Sequence, residues 1–314
     1  LMNPPYRIKV NSTYWGDDSM LTVKNLNIFY GRKQIIENAS FSIKPGEIVG
    51  LIGPNGAGKT TIMKTLLGLT KFTGSITFNN QPITANNHKA LQNVGALIEN
   101  PAIYPFLSGK DNLSLYSTDK GEVAELITKL QMNSYIQRQA KSYSIGMKQK
   151  LGIALALLNH PQFVILDEPM NGLDIETTIL IRKIIHEYAH KGTAFLISSH
   201  VLSELQKVMT SVIILNQGHI IMDVPVSQFQ ERDSQQYRLV TTDNQTAIKL
   251  LTANSITVIP TSTGLIVNKD ALSQIQQILF KNQVWLRELV PNVPSFEKKI
   301  ITVLKERREN SNGK

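Results

Sequence analysis

The octapeptide Gly53-Pro-Asn-Gly-Ala-Gly-Lys-Thr60 restricts the possible folds of this chain more than any other stretch. It follows an apolar, strand-like run at 47–52 and precedes a helical pattern at 61–69, the strand–loop–helix setting of a phosphate-binding loop. The residue types carry the chemistry. Gly53, Gly56 and Gly58 let the backbone turn its N–H groups inward around phosphate oxygens with no Cβ in the way. The helix behind the loop presents its positive end to the anion, and Asn55, Ala57 and Thr61 belong to the same cradle. Lys59 is expected to reach the β- and γ-phosphates, and the Thr60 hydroxyl to bind magnesium. The expected ligand is a nucleoside triphosphate.

With 314 residues, the chain can bury a full core and has room for one large domain and a small one. Its 42% hydrophobic and 18% charged residues are those of an ordinary globular protein. Having no Cys, it can form neither disulfides nor thiolate–metal sites. No apolar run approaches the roughly 20 residues that span a bilayer. Residues 1–19 lack the basic start and apolar block of a signal peptide, and patterned sequence begins at Met20. They read as a non-native or disordered extension. A net charge of +9 suits nucleic acid, an anionic membrane surface or simply a solvated lysine-rich surface, and by itself selects none of them.

Alternating apolar residues at Leu21, Val23, Leu26, Ile28, Phe41 and Ile43, and the run 75–78, predict short strands with turns between them. The run 94–98 predicts another strand, and 108–158 a set of helices stopped by Pro161. Continuous apolar runs at 163–166, 194–197 and 212–215 predict strands buried on both faces, as in a parallel α/β sheet, with a helix at 177–191. Polar residues at 228–234 mark a linker. Beyond it, strands at 237–240, 256–259, 265–267 and 284–289 and helices at 246–251, 271–280 and 294–304 predict a small α+β domain. Residues 305–314 read as a charged, disordered tail. The expected domains are therefore 20–233, with its helical subdomain at 108–158, and 234–304.

Two further stretches carry chemistry. Phe163-Val-Ile-Leu-Asp-Glu-Pro169 brings two carboxylates to the end of a buried strand, the edge where such sheets bind ligands. Asp167 is expected to hold the magnesium through water, and Glu168 to act as general base toward the attacking water. Tyr143-Ser-Ile-Gly-Met-Lys-Gln149 opens an apolar helix, where Ser144 and Gly146 suit either phosphate contact or plain helix capping.

In this order the motifs resemble the ATP-binding subunits of ABC transporters, over about 20–223. The likeness extends to a D-loop-like Asn171-Gly-Leu-Asp174, to His200 at the place of the switch histidine, and to Tyr30 at that of the adenine-stacking aromatic. It implies an ABC-type α/β nucleotide-binding domain, with a mixed-sheet core and a helical subdomain, carrying a small C-terminal α+β domain. It also implies ATP and Mg²⁺ as cofactors and ATP hydrolysis with Glu168 and His200 at the catalytic centre. Two copies would close head to tail, each ATP lying between one P-loop and Ser144, Gly146 and Met147 of the other copy, with Asp174 linking the sites. The implied partner is an integral-membrane permease, docked near 99–112 where Ile103, Tyr104, Phe106 and Leu107 form either the contact or local core. That places the chain peripherally on the cytoplasmic face of the membrane.

The sequence also departs from the family. The usual Leu-Ser-Gly-Gly-Gln is here Tyr143-Ser-Ile-Gly-Met147, and the magnesium-binding Gln is replaced by Glu99, a carboxylate expected to keep its place among the metal ligands with Thr60 and Asp167 while adding negative charge near the γ-phosphate. These variations, with Ala-Leu-Ile-Glu-Asn-Pro at 96–101, are similar to the bacitracin-resistance and lantibiotic-immunity subgroup, whose cargo is a peptide antibiotic. Transport of another cargo, such as lipid or polysaccharide, stays open. A soluble ABC ATPase acting on nucleic acid or the ribosome is the reading from another class. The types that do so have two nucleotide modules or long coiled-coil insertions, which this chain lacks, so no nucleic-acid partner is expected.

Overall fold

Alternation in the first strands and continuous apolar runs in the later ones put two different sheets face to face. The computed structural model describes residues 18–84, 88–230, 236–292 and 296–311, with backbone alone for 230 and 305–311. Expectations for residues 1–17, for the 231–234 part of the linker, for the 294–295 start of the last helix and for 312–314 lie outside the described residues. The chain divides into two compact units, the first ending at Phe229 and the second beginning at Gln230.

In chain order the first unit starts with strands β1 (Leu21–Tyr30), β2 (Lys33–Ile43) and β3 (Ile48–Ile52), helix α1 (Lys59–Leu66), and strands β4 (Phe72–Phe78), β5 (Gln81–Pro82) and β6 (Val94–Leu97). Helices α2 (Gly109–Ser114), α3 (Lys120–Lys129) and α4 (Ile145–Leu157) follow, then β7 (Phe163–Asp167), α5 (Ile175–His190), β8 (Ala194–Ser198), α6 (Leu202–Gln206), β9 (Ser211–Asn216), β10 (His219–Pro225) and α7 (Val226–Gln230). A four-stranded sheet has the order β2-β1-β4-β5, and a six-stranded sheet the order β10-β9-β3-β8-β7-β6. The first is antiparallel. The second is parallel except for β10, which pairs antiparallel with β9 at the edge.

Side-chain parity explains the layering. Val49 and Leu51 of β3, Ile165 of β7, Leu196 of β8 and Ile213 of β9 share one core with Leu21, Val23 and Ile28 of β1 and Ile62 and Met63 of α1. The alternate residues of the same strands are buried on the opposite face, where α5 lies against β8 and α4 against β6 and β7. Burial on both faces is why these strands are uniformly apolar. Gly95 of β6 has a packing reason, since a Cβ there would sit 1.7 Å from the Ala156 carbonyl oxygen of α4.

The second unit contains β11 (Gln236–Thr241), α8 (Asn244–Ala253), β12 (Ile259–Thr261), β13 (Gly264–Asn268), α9 (Leu272–Lys281), β14 (Leu286–Pro291) and α10 (Phe296–Ser311). Its sheet has the order β12-β13-β11-β14, all antiparallel, over a core that includes Leu239, Leu251, Leu265, Ile275 and Leu279.

Several boundaries differ from the sequence reading. The strands of the first sheet are long, ten and eleven residues in β1 and β2, because bulges interrupt their alternation without ending them. The edge strand β10 and helices α6 and α7 carry too little periodic signal to stand out, and α7 takes up the start of the expected linker. Strands expected at 256–259 and 284–289 lie at Ile259–Thr261 and Leu286–Pro291. The expected tail is helical as far as Ser311: charged, helix-favouring residues continue α10 past its apolar stretch.

Candidate functional site

Strand β3 is buried along its whole length and delivers Gly53 to the C-terminal edge of the parallel sheet. A Cβ on Gly53 would lie 2.2 Å from the Leu215 carbonyl oxygen of β9. Gly58 has φ +107°, and a Cβ there would also meet Ile36 Cδ1 at 2.5 Å. The loop therefore requires glycine for both conformation and space. Lys59 opens α1, and its Nζ donates to the carbonyls of Gly53 at 2.8 Å and Pro54 at 3.3 Å. Burial lowers its pKa, against the opposing pull of Glu168 and Asp167. The ammonium is thus held inside the loop it would share with a phosphate.

The parallel register sets Asp167, the last residue of β7, directly beside Ser198, the last of β8. Ser198 Oγ donates to Asp167 Oδ1 at 2.5 Å and accepts from the Glu168 N–H at 3.0 Å. The Thr60 hydroxyl donates to Asp167 Oδ2 at 2.8 Å, bridging α1 to β7. Glu168 takes a left-handed backbone, φ +53°, costly for a residue with a side chain. Its Oε2 lies 2.6 Å from His200 Nδ1 and accepts from the His200 N–H at 3.1 Å. Two pairs, Thr60–Asp167 and Glu168–His200, therefore stand side by side at the strand ends.

The other expected site residues have different neighbours. Glu99 also has a positive φ, and its carboxylate accepts from Lys64 Nζ at 2.6 Å rather than joining Thr60 and Asp167. This bond raises the Lys64 pKa. Tyr30 ends β1 with about half its surface open, as a stacking platform would need. Ser144 is the N-cap of α4, its Oγ accepting from the Met147 N–H at 3.3 Å, and Asp174 is the N-cap of α5, accepting from the Thr177 N–H at 2.6 Å. Both caps satisfy orphan helix donors. Ile145 is 74% exposed between Ser144 and Gly146. Of the apolar cluster near 103–107, Ile103 and Leu107 are half-buried, whereas Tyr104 and Phe106 are exposed and stack edge-to-face, centroids 5.9 Å apart.

The donor set suits a magnesium nucleotide. Thr60 Oγ1 and Asp167 Oδ2 are hard oxygens on one side of a loop shaped for phosphate. Magnesium takes few protein oxygens and fills its shell with phosphate and water. Sequence reasoning missed Ser198 and Gln149. Ser198 carries a signal, since it ends an apolar strand one residue before Ser199-His200; Gln149 looks like any polar residue of a helix until α4 is packed.

Comparison with known proteins gives consistent results. The family model described as ABC transporter matches residues 36–171. The chain is 32% identical over 293 residues to the uncharacterized ABC transporter ATP-binding protein YdbJ of Bacillus subtilis (strain 168), covering 90% of this chain and 95% of that one. It is 39% identical over 209 residues to the lantibiotic transport ATP-binding protein SrtF of Streptococcus pyogenes, covering 65% and 90%. A solved ATP-binding subunit of an ABC transporter superposes with TM-score 0.64 at 28% identity, over 68% of this chain and 93% of that one.

Proposed function

The chain belongs to the ATP-binding subunits of ABC transporters, ATPases that power transport, and we propose that it drives removal of a peptide antibiotic from the membrane. The observation that carries the mechanism is the meeting of Thr60, Asp167, Glu168 and His200 beside the glycine loop. In this reading the loop N–H groups and Lys59 hold the β- and γ-phosphates, Lys59 exchanging its Gly53 and Pro54 carbonyls for phosphate oxygens. Mg²⁺, held by Thr60 and, through water, by Asp167, would neutralise charge developing on the phosphates. Glu168 takes a proton from the attacking water, and His200 holds that carboxylate in place and reaches the γ-phosphate. Tyr30 stacks on adenine. Glu99, tied to Lys64, keeps its added charge compensated.

Two copies close head to tail, with Ser144, Gly146 and Met147 of one completing the site of the other and Asp174 lying between the sites. The γ-phosphate makes differential contacts only in the closed pair, so ATP favours closure and hydrolysis releases it. A permease supplies the membrane path, as the family resemblance implies; no helix among the described residues is long and apolar enough to cross a membrane. Its docking surface is the exposed Tyr104–Phe106 pair beside a cleft of about 460 Å³ lined by Leu69, Ile98, Asn100, Ala102 and Tyr116, at the cytoplasmic face. The cargo reading rests on the pattern at 96–101 and on the likeness to a lantibiotic transporter subunit.

The test is a trap. Glu168→Gln should bind ATP yet turn over at least ~100-fold more slowly, and with ATP and Mg²⁺ in solubilised native membranes it should hold a polytopic membrane protein. Turnover at the parent rate would remove Glu168 as the base. Recovery of ribosomes or nucleic acid without a membrane partner would overturn the transporter reading. Cells producing both subunits should survive raised lantibiotic, and unchanged survival with an active ATPase would reject that cargo.

A further inference from the structure

Helix α4 reaches the hydrolytic loop through one buried side chain. Gln149 is 8% exposed, and its Nε2 donates to the carbonyl oxygens of Glu168 at 3.3 Å and Pro169 at 3.1 Å. Both acceptors are carbonyls, so only the amide nitrogen can serve them and its orientation is set. The same loop meets the first turn of α4 a second time. A Cβ on Gly172 would lie 3.4 Å from Ile145 Cγ2, and one on Gly146 3.4 Å from Leu173 Cδ2, so each apolar side chain rests on the other segment's glycine.

We infer that Gln149 is a positioning residue for Glu168, fixing the backbone from which the catalytic carboxylate is aimed. The need arises at Glu168 itself. Its left-handed φ of +53° persists only where the surroundings over-determine it. Ser198 anchors the N–H side of that residue and Gln149 the carbonyl side, while the carboxylate at the far end meets His200. Removing the amide frees the Glu168–Pro169 peptide to turn, and a small rotation there displaces a carboxylate several bonds away. Because Gln149 rides on the helix that Ser144 caps, the tether also joins the signature turn of a chain to that chain's own hydrolytic residue. The inference rests on the assignment of Glu168 as base.

The experiment compares Gln149→Met, Glu168→Gln and the double variant in the full chain, by steady-state ATPase kinetics and thermal melting. Met keeps the side chain's length and apolar contacts but loses the donor. Gln149→Met should lower kcat about tenfold with KM for ATP unchanged, and should cost nothing further in the Glu168→Gln background, because it acts through that residue. Parent kcat in Gln149→Met, or an equal loss in both backgrounds, overturns the inference while leaving Glu168 as base. Parent turnover in Glu168→Gln overturns the base and the inference together. Gln149→Glu gives an independent reading should Met not pack. Only its protonated form can donate, through one O–H, to either of these carbonyls, and burial favours that form. Its rate relative to the parent should rise as pH is lowered from about 8 to about 6; a ratio flat with pH overturns the inference.

Discussion

Ser198 shows how one small side chain can serve two functional neighbours. It is fully buried, donates to Asp167 and accepts from the Glu168 N–H, so the residues proposed to hold the cation and to activate water share one anchor. Ser198→Ala leaves a buried N–H without its acceptor, which should cost about 1–3 kcal/mol in urea unfolding. It should also lower kcat by about tenfold or more through both carboxylates. Kinetics and unfolding on the same preparation check it, and an unchanged kcat would show that the strand ends hold their geometry without the hydroxyl. The sequence marks Asp167 and Glu168 as chemistry because a glycine phosphate loop stands in the same chain, and His200 only through the order of motifs that resembles the ABC family. It assigns Ser198 no role: its place before Ser199-His200 marks it, but a serine closing a strand is ordinary until the register sets it beside Asp167.

At the scale of elements, helices α3 and α5 are joined by charge. Lys129 of α3 pairs with Glu187 of α5, and Glu187 also accepts from Lys191 at 3.1 Å while Lys129 meets Glu125 at 2.8 Å. The hydrogen bonds from Lys129 and Lys191 lower the Glu187 pKa below its ordinary 4.5. A carboxylate with a depressed folded-state pKa adds stability above its unfolded value and loses it as pH falls through the folded one. Glu187→Gln should therefore lower the melting temperature by about 1–3 °C near pH 7, a small effect because the group is partly exposed. The difference from the parent should shrink as pH falls below 4.5 and disappear once it passes below the lowered folded-state pKa. A deficit that persists in acid would point to packing rather than charge. The sequence gives no hint of this pairing, since α3 and α5 are far apart along the chain and only folding brings Lys129 to Glu187.

For the whole molecule, every site residue from Tyr30 to His200 lies in the first unit, whose core is drawn from the same stretch of chain. The second unit has its own core around Leu239, Leu251 and Leu265. We propose that the first unit folds as a separate domain that carries the ATP site by itself. A chain ending at Phe229 should bind ATP with unchanged affinity by calorimetry and melt in one cooperative transition. A loss of about tenfold, 1.4 kcal/mol, would overturn this.

The sequence by itself determined the nucleotide loop, the buried parallel strands and the paired carboxylates. Each is a local pattern: glycine where no Cβ fits, apolar runs where both faces are covered, acids where a strand ends. It also separated a large α/β unit from a smaller α+β one, because the composition changes between them. Tertiary structure decided what depends on residues distant in the chain. It set Ser198 beside Asp167 through strand register, placed Lys64 on Glu99, and brought Gln149 under the backbone of Glu168. Those contacts arise from packing one element on another, and no single stretch of sequence encodes them.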